Sequence, residues 1–250
     1  MPLREYRPLT READVTQKGE LRIAYYIICE GQNTEWLYFT CLCNNKREIG
    51  IHNAVEIIPL EKTDMHKGWS HPQKLFELAR HKKKELKKDE YSSYEEDDKF
   101  VIVFDLDIYN GKDGKEYKAL LKDIEDDEIV VVTNPCFEMW LLLHEENAYA
   151  KHISGDEERI LQNKKTSKKH SYVSGKVSDV LEFNTKGSGK RKSGNNSQAY
   201  FKFKSLLEST DIAVNEEKHI CEDAETMANS IGCNVGLFIT ELRKKRFEQR

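Results

Sequence analysis

Between Ile23 and Glu146 two textures alternate along the chain. Residues 23–29, 54–60, 100–104 and 129–132 are short β-branched or aromatic runs of strand length. Each is followed by apolar residues at helical spacing. Trp36, Leu37, Phe39, Thr40 and Cys43 recur over 34–44; Leu75, Leu78, Ala79 and Leu86 over 72–88; Tyr117, Leu120, Leu121 and Ile124 over 115–124. Residues 135–146 are apolar on most faces and read as a buried helix. Strands that are apolar throughout, alternating with helices, predict an α/β fold with a mostly parallel sheet flanked by helices. This α/β core is expected over 21–150, after an N-terminal arm at 1–20.

Beyond residue 150 the pattern changes to a basic, helix-rich C-terminal region, 151–250. Helical periodicity resumes over 199–207, 217–230 and 235–246. Between them, 184–198 is built of Gly, Ser, Asn, Lys and Arg, cannot bury apolar surface, and is expected to be a flexible loop. No internal repeat is visible.

Composition narrows the class. With 250 residues the chain can bury a sizeable core, and 10% aromatics exclude a wholly disordered chain despite 34% charged residues. No apolar run approaches the roughly 20 residues that a bilayer crossing needs, and residues 1–20 are charged, so no membrane span or signal peptide is expected and the location is cytoplasmic. Six cysteines without a CxxC pair read as buried reduced thiols, with a zinc site as the alternative.

The net charge of −4 conceals two opposite regions. From Lys164 to Lys204, eleven Lys and Arg face only Asp179 and Glu182, a local net of +9 that leaves −13 elsewhere. Lys164, Lys165, Lys168, Lys169, Lys190, Arg191 and Lys192 are therefore candidates for contact with the phosphates of a nucleic acid. The basic run at 81–88 reads more simply as a solvated helix face.

In a parallel sheet the ligand site lies outside the carboxyl ends of the strands. The polar residues there are Glu30 and Gly31, then Asp105 and Asp107, then Thr133 and Asn134. Alternation along a strand would aim Asp105 and Asp107 to the same side, roughly 6.5–7 Å apart. Carboxylates so placed repel unless a cation joins them, and a hard ion such as Mg²⁺ suits oxygen ligands. Glu30 offers a third carboxylate. The plainer account is a strand end and a solvated turn. Asn134, Pro135 and Glu138 have the residue types of a helix N-cap, first position and first turn, and also lie where a cleft rim would be. His144 reads as a hydrogen-bonded core histidine or as a ligand. No GxxxxGK[ST] or GxGxxG loop is present, so nucleotide binding of those types is not supported.

Three blocks carry a more specific likeness: Ile28-Cys29-Glu30-Gly31-Gln32-Asn33-Thr34-Glu35 with Tyr38-Phe39, then Val103-Phe104-Asp105-Leu106-Asp107, then Asn134-Pro135-Cys136-Phe137-Glu138-Met139-Trp140 running on to His144. In this order they resemble the RloB-like family, which is itself similar to Toprim domains of topoisomerases, primases and overcoming-lysogenization-defect nucleases. The resemblance implies a Toprim-like fold in which Glu30, Asp105 and Asp107 organise Mg²⁺ or Mn²⁺. Glu138 would join them as a catalytic residue, and Glu35, Asn134 and His144 would be supporting residues. It also implies a role in anti-phage or abortive-infection defence beside a partner ATPase. Leu106 departs from related sequences, which often carry a charged residue there, and the loop at 184–198 has no counterpart in the resemblance.

The reading that follows is a Mg²⁺-dependent nuclease. Metal held by Asp105 and Asp107 polarises a backbone phosphate, and Glu30 completes the metal shell or acts as general base. Its substrate would be RNA, with tRNA as one candidate, or DNA. The alternative is a catalytically silent Toprim-like sensor or adaptor that binds a partner ATPase or nucleic acid; phosphoryl transfer on a small nucleotide is a third. A homo-oligomer is compatible with each.

Overall fold

The apolar runs become adjacent strands in a computed structural model of the chain, which describes residues 22–31, 33–60, 62, 71–110, 114–168, 170–182 and 198–245. They are β1 (Ile23–Cys29), β2 (Val55–Pro59), β3 (Lys99–Asp105) and β4 (Glu128–Asn134). The expected arm at 1–20 and the expected loop at 184–198, up to residue 197, lie outside the described residues. A two-residue strand, β5 (Gly232–Cys233), is too short for any periodicity to betray it. The sheet order is β2-β1-β3-β4-β5, parallel throughout except for the antiparallel β4–β5 pair. Because β2 lies on one side of β1 and β3 on the other, the order reverses between β1 and β3. That reversal opens a crevice at their carboxyl ends.

Both faces of the sheet are buried, which explains the unbroken apolar runs. Tyr25, Ile27, Cys29, Val101, Val103 and Val131 point into one core; Ala24, Tyr26, Ile28, Phe100, Ile102 and Phe104 point into the other. The helices are α1 (Thr34–Asn44), α2 (Pro72–Lys88), α3 (Lys115–Lys122), α4 (Glu138–Leu142), α5 (Glu157–Gln162), α6 (Tyr172–Val180), α7 (Gln198–Leu207), α8 (Thr210–Glu217) and α9 (Val235–Lys244). Leu75, Phe76 and Ala79 of α2 and Tyr117 and Leu120 of α3 cover the second face. The first face is covered by α1 and α4 together with the C-terminal helices: Val173, Phe203, Phe238 and Ile239 share one core with Tyr38, Phe39 and Trp140. On the outer side of α2, Lys83 pairs with Asp127 at 2.7 Å and Arg80 with Glu128 at 2.9 Å, so this basic run is held by nearby acids.

Two expected helices are corrected. The one expected at 135–146 starts only at Glu138, after a cis Asn134–Pro135 bond, and ends at Leu142. The one expected at 217–230 is instead α8, ending at Glu217. The Asp223 carboxylate accepts from the N–H of Glu225 (3.0 Å) and the hydroxyl of Thr226 (2.9 Å), a local alternative to helical hydrogen bonding. Only a single 3-10 turn forms there, Met227–Asn229.

Side chains take up hydrogen-bonding groups on the outer side of β2 and on the stretch of β4 that β5 does not cover. At β4, the Asn234 amide replaces a missing strand residue: its Oδ1 accepts the Val132 N–H at 2.7 Å and its Nδ2 donates to the Val130 carbonyl at 3.2 Å. At β2, the carbonyls of Val55 and Ile57 accept from Lys46 Nζ and from Cys43 Sγ.

The start of α9 is answered from inside the protein. Glu217, fully buried, accepts the N–H groups of Gly236 (2.8 Å) and Leu237 (2.7 Å), where the positive end of the helix dipole favours a carboxylate. Burial nevertheless pushes its pKa up to about 7, against the lowering effect of these bonds. A Cβ on Gly236 would lie 2.6 Å from Glu217 Oε2 and 3.0 Å from the Trp140 ring, so a side chain has no room. Gly236→Ala is expected to destabilise the protein by about 1–3 kcal/mol, read as a lower urea midpoint with an unchanged slope.

Candidate functional site

The crevice between β1 and β3 is where the acids gather. Glu30 follows β1 and is still on the ladder, donating its N–H to the Val103 carbonyl at 2.8 Å. Its Oε2 accepts the N–H of Asp105 at 3.2 Å. Asp105 ends β3 and faces the same way as Val101 and Val103. Thr133, its register partner on β4, donates its hydroxyl to Asp105 Oδ1. Glu35, in the first turn of α1, folds back over Gly31 so closely that a Cβ there would lie 2.0 Å from Glu35 Oε2. Glu138, the first residue of α4, completes the group.

These carboxyls are desolvated and repel one another. Burial pushes Asp105 well above the usual carboxylate range, Glu35 adds to this, the Thr133 hydroxyl opposes it, and Glu138 and Glu30 contribute further. Glu35 is raised to about 7 by burial, against its own backbone N–H, with Glu138 and Glu30 reinforcing the rise. Glu30 is raised to about 7 by burial, opposed by the Asp105 N–H, with Asp107 adding a smaller push.

Asp107 does not stand beside Asp105 as alternation predicts. The strand stops at Asp105, Leu106 buries its side chain in the opposite core and donates its N–H to the Thr133 carbonyl, and Asp107 opens a 3-10 turn, Asp107–Tyr109. Period-2 alternation holds only while the chain stays extended. Asp107 is exposed by surface area, although crowding by nearby atoms moves its pKa upward, opposed by the Ile108 N–H.

Lys62, which sequence reasoning passed over, lies at the same edge. It is only 7% exposed, and its Nζ donates to the Glu30 carbonyl at 2.6 Å. Its positive charge lowers the pKa of both Glu30 and Glu35, while burial lowers its own. The one available signal was position: it sits three residues after a strand, on the ligand-bearing side of the sheet.

Two residues expected to support the site make structural contacts within the fold. Asn134 does not cap a helix; it ends β4, fully buried, and its Nδ2 donates to the Met227 and Ser230 carbonyls at 2.9 Å each. His144 is buried, with Nδ1 3.0 Å from the Trp140 carbonyl and the rings of Trp140 and Tyr38 edge-on to it. Burial drives its pKa down to about 4, against hydrogen bonds from the backbone side, so it is a neutral core residue. The cysteines are all free thiols, Cys29, Cys41, Cys136 and Cys233 being buried.

Cys136 connects the acids to the basic region. Its thiol feels the charges of Glu138 and Asp105, and Asn163 Nδ2 donates to its sulfur at 3.4 Å. Asn110, just beyond the Asp107 turn, reaches the Leu161 carbonyl at 3.4 Å. From Asn163 the chain runs into a loop bridged at Lys165 and Ser171, with Lys164, Lys165 and Lys168 exposed. Lys169, Lys190, Arg191 and Lys192 lie outside the described residues. A separate groove of about 370 Å³, at the amino edge of the sheet, holds two ion pairs: Arg243 with Asp211 at 2.6 Å and Lys204 with Glu48 at 3.6 Å.

The carboxylate oxygens are the right donors for Mg²⁺ or Mn²⁺. Their arrangement is not: among the described residues no three His, Cys, Asp or Glu side chains come together as a group that would hold a metal ion. Asp107 faces water, two oxygens of the cluster already accept protein hydrogen bonds, and an ammonium lies beside Glu30. As arranged, the residues do not fit a bound divalent ion.

The raised carboxyls make stability pH-dependent. Glu30 and Glu35 bind protons more tightly folded than unfolded, so their stabilising contribution is complete below 4.5 and is lost as pH rises through about 7. A carboxyl moved this far corresponds to roughly 3 kcal/mol. The melting temperature is expected to fall between pH 5 and pH 8. Glu35→Gln should melt higher than the parent at pH 8 and show a shallower decline, both read from thermal denaturation.

Among the described residues no helix is long and apolar enough to cross a membrane. No curated protein and no solved structure matches the chain. The family model described as RloB-like protein matches residues 25–242, from within β1 through β5 and including the site. The chain belongs to the RloB-like family.

Proposed function

We propose that this chain is a Toprim-like sensor or adaptor of an anti-phage system, which engages nucleic acid and a partner ATPase without itself cutting phosphodiester bonds. The observation that carries this reading is the arrangement of Glu30, Asp105 and Asp107. The first two accept hydrogen bonds within the protein, the third is exposed on a 3-10 turn although near enough to act on Glu30, and among the described residues no three such side chains group as a metal site would, which supports a site that does not hold a cation. Exposed Lys164, Lys165 and Lys168 stand on a loop tethered beside the acids through Asn163 and Cys136, which supports contact with a phosphate backbone at that rim.

A Mg²⁺-dependent nuclease acting on RNA or DNA is the second reading. The raised pKa values of Glu30, Glu35 and Asp105 favour it, since carboxyls held against their own ionisation at a strand-end crevice are characteristic of working sites. It requires Asp107 to swing inward.

Incubating the purified chain with labelled tRNA, single-stranded RNA and DNA in Mg²⁺ or Mn²⁺, alone and with the ATPase encoded beside it, separates the two. The expected result is binding and stable co-purification with the ATPase, with no metal-dependent cleavage. Cleavage that disappears in Asp105→Asn and Glu30→Gln would establish the nuclease reading instead. Replacing Lys164, Lys165 and Lys168 together by Gln is expected to weaken RNA binding and reduce the slope of log K against log salt by about 2.

A further inference from the structure

A crevice ringed by four acids ordinarily needs a counter-charge, and the chain carries one. Lys62 is the buried cation of this edge, anchored by a 2.6 Å hydrogen bond from Nζ to the Glu30 carbonyl. It lies close enough for its charge to act on Glu30, Glu35 and the Cys29 thiol together. The acids around it are also held by internal donors. Glu30 takes the Asp105 N–H, Asp105 takes the Thr133 hydroxyl, and Glu35 is folded back against Gly31. One oxygen of Glu30 and one of Asp105 are thus taken by the chain's own donors, which a metal ion would have to share or displace.

We propose that the Lys62 ammonium is the resident cation of the carboxylate site, and that it and a divalent ion exclude one another there. The mismatch between the acids and a metal-holding set is then explained by what is built among them. A monovalent ammonium contributes three directed donors and a single charge, so it tolerates carboxylates that are spread out and hydrogen-bonded elsewhere. Mg²⁺ demands near-octahedral oxygens at about 2.1 Å and repels a cation alongside it. Removing the ammonium should therefore make room, electrostatically, for a divalent ion.

This inference rests on the reading of the chain as a subunit that does not cut by itself, and it is tested apart from cleavage. Mn²⁺ binding to the full chain is measured by calorimetry and by thermal shift at constant ionic strength, for the parent, Lys62→Met and Lys62→Arg. Lys62→Met is expected to bind Mn²⁺ at least tenfold tighter than the parent, and the gain should vanish when Asp105→Asn is added. Lys62→Arg keeps the charge and should behave as the parent.

If Lys62→Met melts too low for calorimetry, Mn²⁺ should raise its melting temperature and leave the parent's unchanged, and adding Glu30→Gln should restore folding by removing the unmatched charge. Equal Mn²⁺ response in the parent and Lys62→Met, or parent affinity already as tight as the variant's, overturns the proposal. Nucleic-acid cleavage by the parent would overturn the adaptor reading alone, leaving this comparison of affinities to stand or fall by itself.

Discussion

Parallel strands deliver their carboxyl ends to one edge of a sheet, and in this protein three of the segments leaving that edge carry an acid into the same dry crevice. Ionising any one of Glu30, Glu35 or Asp105 there means stripping water from a charge while its neighbours push back. The surrounding structure answers that cost piece by piece. A strand amide reaches Glu30, a threonine on the adjacent strand reaches Asp105, the bare backbone of Gly31 lets Glu35 fold close, and a buried lysine supplies positive charge. Each compensation also fixes a part of the site. The acids are therefore positioned by the interactions that make them tolerable.

A second buried carboxylate shows the same logic put to structural use. Glu217 is likewise raised by burial, but its partners are the first amides of α9, and the push from a neighbouring acid, Glu222, is the smallest of the causes. It ties α8 to α9, whose Gly236 lies against the Trp140 ring of the helix that carries Glu138. With Asn134 gripping the carbonyls of Met227 and Ser230, the far end of the chain helps to hold the end of β4 in place. The crevice is thus built from more of the chain than the strands and loops that line it.

The strands were readable because burial on both faces leaves unbroken β-branched runs, and Glu30 and Asp105 were readable because they interrupt those runs at the ligand side. Asp107 was misread. Its placement depends on where extension stops, and that is decided by Leu106 dropping into the opposite core, a tertiary event with no local signature. Lys62 carried no pattern; a lysine in a polar connection looks the same whether it is solvated or buried beside carboxylates. Asn134 illustrates a different ambiguity, since the residue type suited to cap a helix is equally suited to bridge two carbonyls. At 217–230 the apolar periodicity was real, yet Asp223 offered the backbone a nearer partner.

The way the sheet is closed bears on how it can be approached. Lys46 and Cys43 occupy the Val55 and Ile57 carbonyls of β2, and the Asn234 amide occupies the Val132 N–H and the Val130 carbonyl of β4. Recruitment of a strand from another protein needs such groups free. At these positions an added strand would first have to displace Lys46, Cys43 or Asn234.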